Sequence, residues 1–401
     1  MKIIHTSDWH LGHKLYGFDR HQEQQSFLQQ LTKIVKEEQP DALVVSGDIF
    51  HTSTPSSEVQ TMFVDSLLAI AEAYPELVMV ITAGNHDSYA RLEIDKNLWA
   101  LHHVYIIGNV VQKEDKTADY AAHIIAIPNK GFIAAVPHCY EQNFPAVSTS
   151  KETSRMSAFF EGLSEELQKM NKQQLPVVMM AHLTVAGCDL LGHDVNIGGM
   201  DSVDLTRLGK AYDYLALGHI HRPQFIEGSS HRVRYSGTPL PVTFDETFKH
   251  TVTVVEMEKH GDVPQCREKE IVNPRPLVNV PEKEEAVDFE SAVALLRSFD
   301  PDTPAYIRLN VLTENGYLPA DCYEQALAAT DGKKCNFCFI NRLITEKNDS
   351  TEEKPQIFID QLQNMSHHDI IHIASLVMSL DEEQKKMLQE AIRFAEENSQ
   401  K

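Results

Sequence analysis

Five times along this chain a short apolar run breaks off on a residue able to hold a metal or move a proton. Ile3-Ile4-His5-Thr6-Ser7 runs into Asp8-Trp9-His10, Ala42-Leu43-Val44-Val45-Ser46 into Gly47-Asp48, and Leu77-Val78-Met79-Val80-Ile81 towards Gly84-Asn85-His86-Asp87. The event returns in Val177-Val178-Met179-Met180-Ala181-His182 and in Tyr214-Leu215-Ala216-Leu217-Gly218-His219-Ile220-His221. Short apolar runs without polar alternation are the pattern of strands buried on both faces. After the first run, His21–Glu38 carries Phe27, Leu28, Leu31, Ile34 and Val35 at helical spacing. A second helical stretch carries Val59, Met62, Phe63, Leu67, Leu68 and Ile70. Strand, helix, strand, helix, strand predicts a layered α/β domain with helices packed on the sheet. Such sheets gather their ligands outside the carboxyl ends of the strands. In an extended chain, residues two apart share a side, so Asp8 with His10, and His219 with His221, are expected to face one point.

The strand-end set is Asp8, His10, Asp48, Asn85, His182, His219 and His221. Its imidazoles, carboxylates and amide are nitrogen and hard oxygen donors, which suit Mn, Fe or Zn and leave no thiolate site. The set is too large for one ion once a water is counted, but fits two ions that share a carboxylate. Two cations about 3.5–4 Å apart are the usual clamp for displacement at phosphorus. No Gly-x-Ser-x-Gly or Cys–His arrangement offers a competing nucleophile.

Taken in order, Asp8-x-His10, Gly47-Asp48, Gly84-Asn85-His86-Asp87, His182 and Gly218-His219-x-His221 resemble the calcineurin-like metallophosphoesterase superfamily. The longer runs His5–Gly12, Gly47–His51, Ala83–Ser88, Ala216–Arg222, Tyr235–Pro241 and Phe244–Glu246 resemble, more narrowly, the SbcD group of nuclease subunits from bacterial SbcCD complexes. The likeness holds in motif detail over about residues 1–260 and only in layout beyond. It implies that Asp8, His10 and His221 hold a first ion, that Asn85, His182 and His219 hold a second, and that Asp48 bridges them. It makes His86 the general acid for the departing sugar oxygen and gives His51 a supporting, phosphate-orienting role.

The same resemblance implies two Mn²⁺ ions and hydrolysis of DNA phosphodiesters in recombination, replication and repair. The expected activities are 3′-to-5′ exonuclease on duplex ends and endonuclease on single strands and hairpins, driven by the ATP cycle of an SbcC-like coiled-coil ATPase partner. A homodimer within a heterotetramer is implied too. The expected fold is α/β: a layered metallophosphoesterase β-sandwich flanked by helices over 1–272, a small α+β capping domain over 276–345, and a helical C-terminal tail over 355–398 that binds the ATPase.

Elsewhere the residues speak more softly. Val104–Val111 and His123–Pro128 read as strands, and Phe159, Phe160, Leu163, Leu167 and Met170 as a helix. No catalytic constellation stands out between 98 and 176, and His138 and Cys139 are placed in a loop. The 187–199 stretch reads as a loop with His193 at its surface, and Val233–Pro241 and His250–Met257 read as closing strands. Asn273-Pro274-Arg275-Pro276 and Pro281–Glu285 punctuate the chain. Beyond them Tyr306–Leu312, Ala320–Ala329 and Asn336–Leu343 predict strand, helix and strand in a module without a site. After a polar break at 347–354, Ile357, Phe358 and Leu362, then Ile370, Ile371, Ile373 and Leu376, then Met387, Leu388 and Ile392 give apolar helix faces. These faces dock on their own domain or meet a partner helix; the second reading is preferred.

Charge narrows the function classes. With 36 basic against 58 acidic residues the formal charge is −22, which repels a polyanion and argues against a stand-alone nucleic-acid binder. Bound cations and a basic partner can restore positive charge locally. Of the cysteines at 139, 188, 266, 322, 335 and 338, only Cys335 and Cys338 have metal or redox spacing, and a lone pair of that kind does not make a zinc site. They are expected to be reduced, packed thiols. No run approaches the roughly 18 apolar residues of a membrane span. Met1-Lys2 leads into a strand with no signal-peptide layout, so a cytoplasmic protein is expected. A small-molecule phosphodiesterase on the same scaffold has little use for about 125 residues after the catalytic domain. A scaffold with a vestigial site would not keep the full ligand set.

Overall fold

The computed structural model describes residues 1–146, 154–191, 202–282, 286–313 and 316–344. The helices expected over 355–398, and His193, lie outside those residues. In chain order the strands begin β1 (Lys2–Thr6), β2 (Ala42–Ser46), β3 (Val78–Thr82), β4 (Val104–Ile107), β5 (Ile124–Ile127) and β6 (Gly131–Ala135). They continue β7 (Val177–His182), β8 (Tyr214–Gly218), β9 (Gln224–Phe225), β10 (Val233–Tyr235), β11 (Thr251–Glu256) and β12 (Gln265–Glu270). One six-stranded sheet runs β12-β11-β1-β2-β3-β4, and a second runs β9-β10-β8-β7-β6-β5. In the first, β1 to β4 are mutually parallel; in the second, β6, β7, β8 and β10 are.

Side-chain alternation shows why these strands read as unbroken apolar runs. Ile3, Ala42, Val44 and Val80 from one sheet meet Ile133, Val178, Met180, Tyr214 and Ala216 from the other. Their sequence neighbours Ile4, Leu43, Val45, Met79 and Ile81 point outward onto Phe27, Leu31, Phe63 and Leu67 of α1 (His21–Glu38) and α2 (Ser57–Ala73). On the far side Val177, Met179, Leu215 and Leu217 pack on Phe159, Phe160 and Leu163 of α3 (Arg155–Met170). The result is the expected β-sandwich flanked by helices. Several elements escaped the sequence reading, β6, β9 and β12 among them. β6 runs up to Pro137, which reads as a break, and β12 alternates charged residues because it is a largely exposed edge strand. Near the carboxyl end the sheets are also joined by polar contacts: His5 Nδ1 lies 2.9 Å from the Tyr214 hydroxyl, and Ser46 Oγ donates to the Ala216 carbonyl at 3.0 Å.

A three-stranded sheet follows, β13 (Leu277–Val280), β14 (Tyr306–Thr313) and β15 (Asn336–Ile344), in that order. Its helices are α4 (Phe289–Ser298), which like β13 escaped the sequence reading, and α5 (Cys322–Thr330). Val293, Leu296, Ile307, Leu309, Ala326, Cys335 and Phe337 form its core. Its other side meets the sandwich through Leu15, Phe244 and Tyr306, with Tyr16 stacked on Phe339 at 4.5 Å. Tyr306 Oη donates to Glu23 Oε1 at 2.9 Å, and Arg308 Nη1 pairs with Asp245 Oδ1 at 2.6 Å. Cys335 lies in the helix-side core while Cys338 packs on the sandwich side, so the pair does not converge on an ion. All six thiols are free.

The sheets come into tight contact where β8 ends. A methyl group on Gly218 would stand 1.8 Å from the Ser46 carbonyl oxygen and 2.8 Å from His182 Nδ1. A backbone oxygen cannot swing aside as a side chain can. Gly218→Ala is therefore expected to cost about 1–3 kcal/mol, the usual range for overpacking, read as a lower midpoint in thermal denaturation. An unchanged midpoint would show that the sheets part freely at this edge.

Candidate metal centre

The sequence expectation put Asp8 and His10 side by side through strand geometry. The structure brings them together differently: β1 has already ended at Thr6, and both residues sit in left-handed backbone, at φ 54° and 44°. Gly47 and Asp48 repeat this at φ 85° and 51°. The two loops zip together, Asp8 N–H to the Gly47 carbonyl at 3.0 Å, His10 N–H to Asp48 O at 3.1 Å and Leu11 N–H to Ile49 O at 2.9 Å. The third loop is closed by Asp87, whose buried carboxylate accepts from Ile49 N, Phe50 N and Gly84 N. Gly84 is required there, because a methyl group on it would lie 2.1 Å from Asp48 Oδ1. The second sheet enters through His219, whose N–H donates to Asp8 Oδ1 at 3.0 Å.

Three donor groups result: one is His10 with His51 and His86, and the other two are built from the expected ligands. Ligand atoms of Asp8, His10 and His221 lie within 4.8 Å of one another, and so do those of Asp48, His182 and His219. Asn85 belongs with the second, its Oδ1 being 2.9 Å from His182 Nε2 and 3.0 Å from His219 Nδ1. His219 and His221 thus do not face one point as alternation suggested; His219, at φ 98°, turns to one group and His221 to the other. All seven expected residues are brought together. Asp48 stands between the groups, its Oδ2 being 3.8 Å from His10 Nε2 and 3.4 Å from His182 Nε2.

The donor chemistry fits cations at both places. His182 Nδ1 donates to the Ser46 carbonyl at 2.8 Å, so a neutral His182 presents a bare Nε2 to the oxygens of Asn85 and Asp48. His221 Nδ1 is committed to Glu246 Oε1 at 2.9 Å, so a neutral His221 turns a bare Nε2 towards His10 Nε2 at 3.2 Å. Acceptors turned on one another in a buried place call for positive charge. Protons alone supply part of it. Burial presses His182 and His221 towards neutrality, but Asp48 beside the first and Glu246 beside the second outweigh it and lift both to about 9. Burial also opposes charge on Asp48, yet the neighbouring His182 and His10 win and hold its carboxyl well below the usual range. For Asp8 burial prevails, and its pKa is raised.

Beside the first group lies a row of imidazoles. His86 rings against His10 at 5.0 Å, and stacks on His51 at 5.6 Å. Its Nδ1 bonds the His51 carbonyl at 2.8 Å, and its own N–H donates to Asp48 Oδ1 at 2.9 Å. His51 is pushed down to about 4, chiefly by burial and by the facing His86. Three neighbours escaped the sequence reading. His13 packs on His51 at 4.7 Å, with Nδ1 3.3 Å from Arg20 Nη1. His138, set aside as a loop residue, follows β6, which ends at the same edge as β7, and lies 6.0 Å from the His182 ring. The run Phe132–Val136 ahead of it was a sixth copy of the apolar-to-histidine event. Glu246, behind His221, carries no positional signal beyond the Phe244–Glu246 likeness.

With the geometry in hand, comparison with known proteins is informative. The calcineurin-like phosphoesterase family profile matches residues 1–223. The SbcD component of the SbcCD nuclease of Rhodobacter capsulatus is 33% identical over 319 residues, 76% of this chain and 77% of that protein. Its counterpart of the same name from Escherichia coli K12 is 25% identical over 420 aligned residues, covering 97% and 96% of the two chains. That of Bacillus subtilis is 32% identical over 289 residues, 69% and 71% of the two.

The raised pKa values set a pH dependence. An imidazole ligand must be neutral, whereas His182 and His221 on their own keep their protons up to about pH 9. Divalent-metal affinity is therefore expected to climb as pH rises towards 9 and to fall below it, with protons released on binding. Calorimetric titration with Mn²⁺ in buffers of different ionisation enthalpy counts them. Affinity that stays flat from pH 6.5 to 9 would mean that neither imidazole is a ligand.

Proposed function

The chain belongs to the calcineurin-like phosphoesterase family and, within it, to the SbcD nucleases of SbcCD complexes; from that premise we propose a site-by-site assignment for its metal-dependent cleavage of DNA. Asp8, His10 and His221 hold one divalent cation, Asn85, His182 and His219 the other, and Asp48 bridges them. The ions are Mn²⁺. The observation that carries this reading is the position of Asp48, whose single Oδ2 faces His10 on one side and His182 on the other.

When bound, the two ions supply Lewis-acid polarisation of the phosphate and an activated water. The chain's own residues do the rest. Asp8 and Asp48 are held rigidly by backbone N–H groups of His219 and His86, so the donors need little rearrangement as charge develops. The His51 carbonyl fixes one nitrogen of His86, and the other carries the proton given to the departing sugar oxygen. His51, low in pKa and stacked on His86, orients the phosphate as a neutral group. Membership of this nuclease group brings the ATP-dependent 3′-to-5′ exonuclease on duplex ends and the endonuclease on single strands and hairpins.

The partner is an SbcC-like coiled-coil ATPase, gripped by the 355–398 tail, and DNA is the substrate; residues 276–345 cap the nuclease domain over 1–272. A basic partner accounts for how a chain of formal charge −22 reaches DNA. Among the described residues no helix is long and apolar enough to cross a membrane, and the complex works in the cytoplasm. The chain pairs with a second copy through the short helices Tyr89–Leu92 and Lys96–Trp99. There Tyr89, Ile94, Leu98 and Leu101, close along the chain, are exposed at 55%, 79%, 64% and 76%, apolar side chains that a second copy would cover.

His86→Ala is expected to lower Mn²⁺-dependent cleavage of a labelled hairpin by about 10²–10⁴-fold, the usual worth of a general acid, while metal analysis still finds two ions. Full cleavage in that variant would remove His86 from the mechanism. Leu98→Glu with Leu101→Glu is expected to halve the mass seen by light scattering; a dimer that survives both changes places the interface elsewhere.

A further inference from the structure

We propose that Glu246 is a positioning residue of the metal centre, fixing which nitrogen of His221 is bare. The proposal rests on the reading of Asp8, His10 and His221 as a cation pocket. The Glu246 side chain is fully buried, with Oε1 2.9 Å from His221 Nδ1 and Oε2 accepting from Val242 N–H at 3.2 Å. An ionised carboxylate only accepts, so His221 keeps its proton on Nδ1 and turns a lone pair at Nε2 towards His10 and Asp8. Carboxylates placed behind a ligating imidazole orient the ring and set its tautomer in this way.

A purely structural role is the competing explanation, and the neighbourhood argues against it. The 236–250 segment is already pinned by other bonds. Thr238 N–H donates to the His221 carbonyl at 3.0 Å, Thr238 Oγ1 lies 2.9 Å from the Asp8 carbonyl, and His250 Nδ1 lies 2.9 Å from Thr238 O. Loss of one carboxylate oxygen would leave that segment in place. What Glu246 adds to those bonds is an acceptor for His221 Nδ1–H.

Glu246→Gln separates the two roles because it keeps the shape and reverses the tautomer. Its amide oxygen accepts from Val242 N–H, which turns the NH₂ group onto His221 Nδ1. That nitrogen can then only accept, and the proton moves to Nε2, the atom that should bind the cation. Equilibrium dialysis of the full chain against Mn²⁺, followed by metal analysis, is expected to show two ions on the unaltered protein. Glu246→Gln should keep one ion tight and bind the other about 10–100-fold more weakly, the usual cost of losing such a partner, with electron paramagnetic resonance changing from a coupled pair to isolated Mn²⁺. Two ions at unaltered affinity would overturn the proposal, and so would full restoration by Gln of a defect seen in Glu246→Ala.

Two controls keep the outcome clear. His221→Ala should lose one ion; if it keeps both, the pocket reading fails and takes the proposal down with it. Should both Glu246 variants fold poorly, imidazole ¹⁵N resonances of the unaltered chain loaded with Zn²⁺ decide. A His221 proton on Nδ1 supports the assignment, and one on Nε2 refutes it.

Discussion

Metal-binding side chains crowded into one buried place are the constraint on which this molecule turns. At one end of the sandwich, bare imidazole nitrogens, carboxylates and an amide oxygen are packed within a few ångströms, almost without solvent. Buried acceptors of that kind repel one another unless positive charge stands between them. The fold around them explains how they are kept there. Two sheets fused by an apolar core point their parallel strands the same way, and the loops leaving those strands are laced by backbone hydrogen bonds. Hydrophobic burial holds the frame, and the frame imposes the crowding that makes divalent cations welcome.

Orientation is imposed just as firmly as position. Three imidazoles at the site have one nitrogen engaged by a fixed acceptor: His182 by the Ser46 carbonyl, His86 by the His51 carbonyl and His221 by Glu246. With one nitrogen occupied, the other is defined as donor or acceptor without a search. Such a site has little reorganisation left to do when a phosphate arrives, which is where electrostatic preorganisation takes its effect.

Much of this was legible in the residues alone. Unbroken apolar runs ending on Asp, Asn or His identified strands covered on both faces and the edge where they meet, because burial and side-chain chemistry are written locally. The way Asp8 pairs with His10 was not, since left-handed backbone at four non-glycine ligands and neighbours is a product of loop-to-loop bonding that no period-two pattern encodes. His138 was set aside as a loop residue because Pro137, between it and the run that forms β6, reads as a break. Glu246 was quoted only as part of a likeness, because its meaning comes from a histidine 25 positions away that folding places against it.

Three consecutive residues join the sandwich to the three-stranded sheet in an uncommonly direct way. Phe244 lies under the Arg308 guanidinium and beside Phe339, Asp245 pairs with Arg308, and Glu246 turns inward to His221. Adjacent Cα atoms are only about 3.8 Å apart, so the two bodies share a lever arm one residue long. Any tilt of the smaller body that drags Asp245 along with Arg308 also pulls on the peptide carrying Glu246. A change at the outer rim, at Arg308 or Asp245, is thus made one residue away from the carboxylate behind a single imidazole.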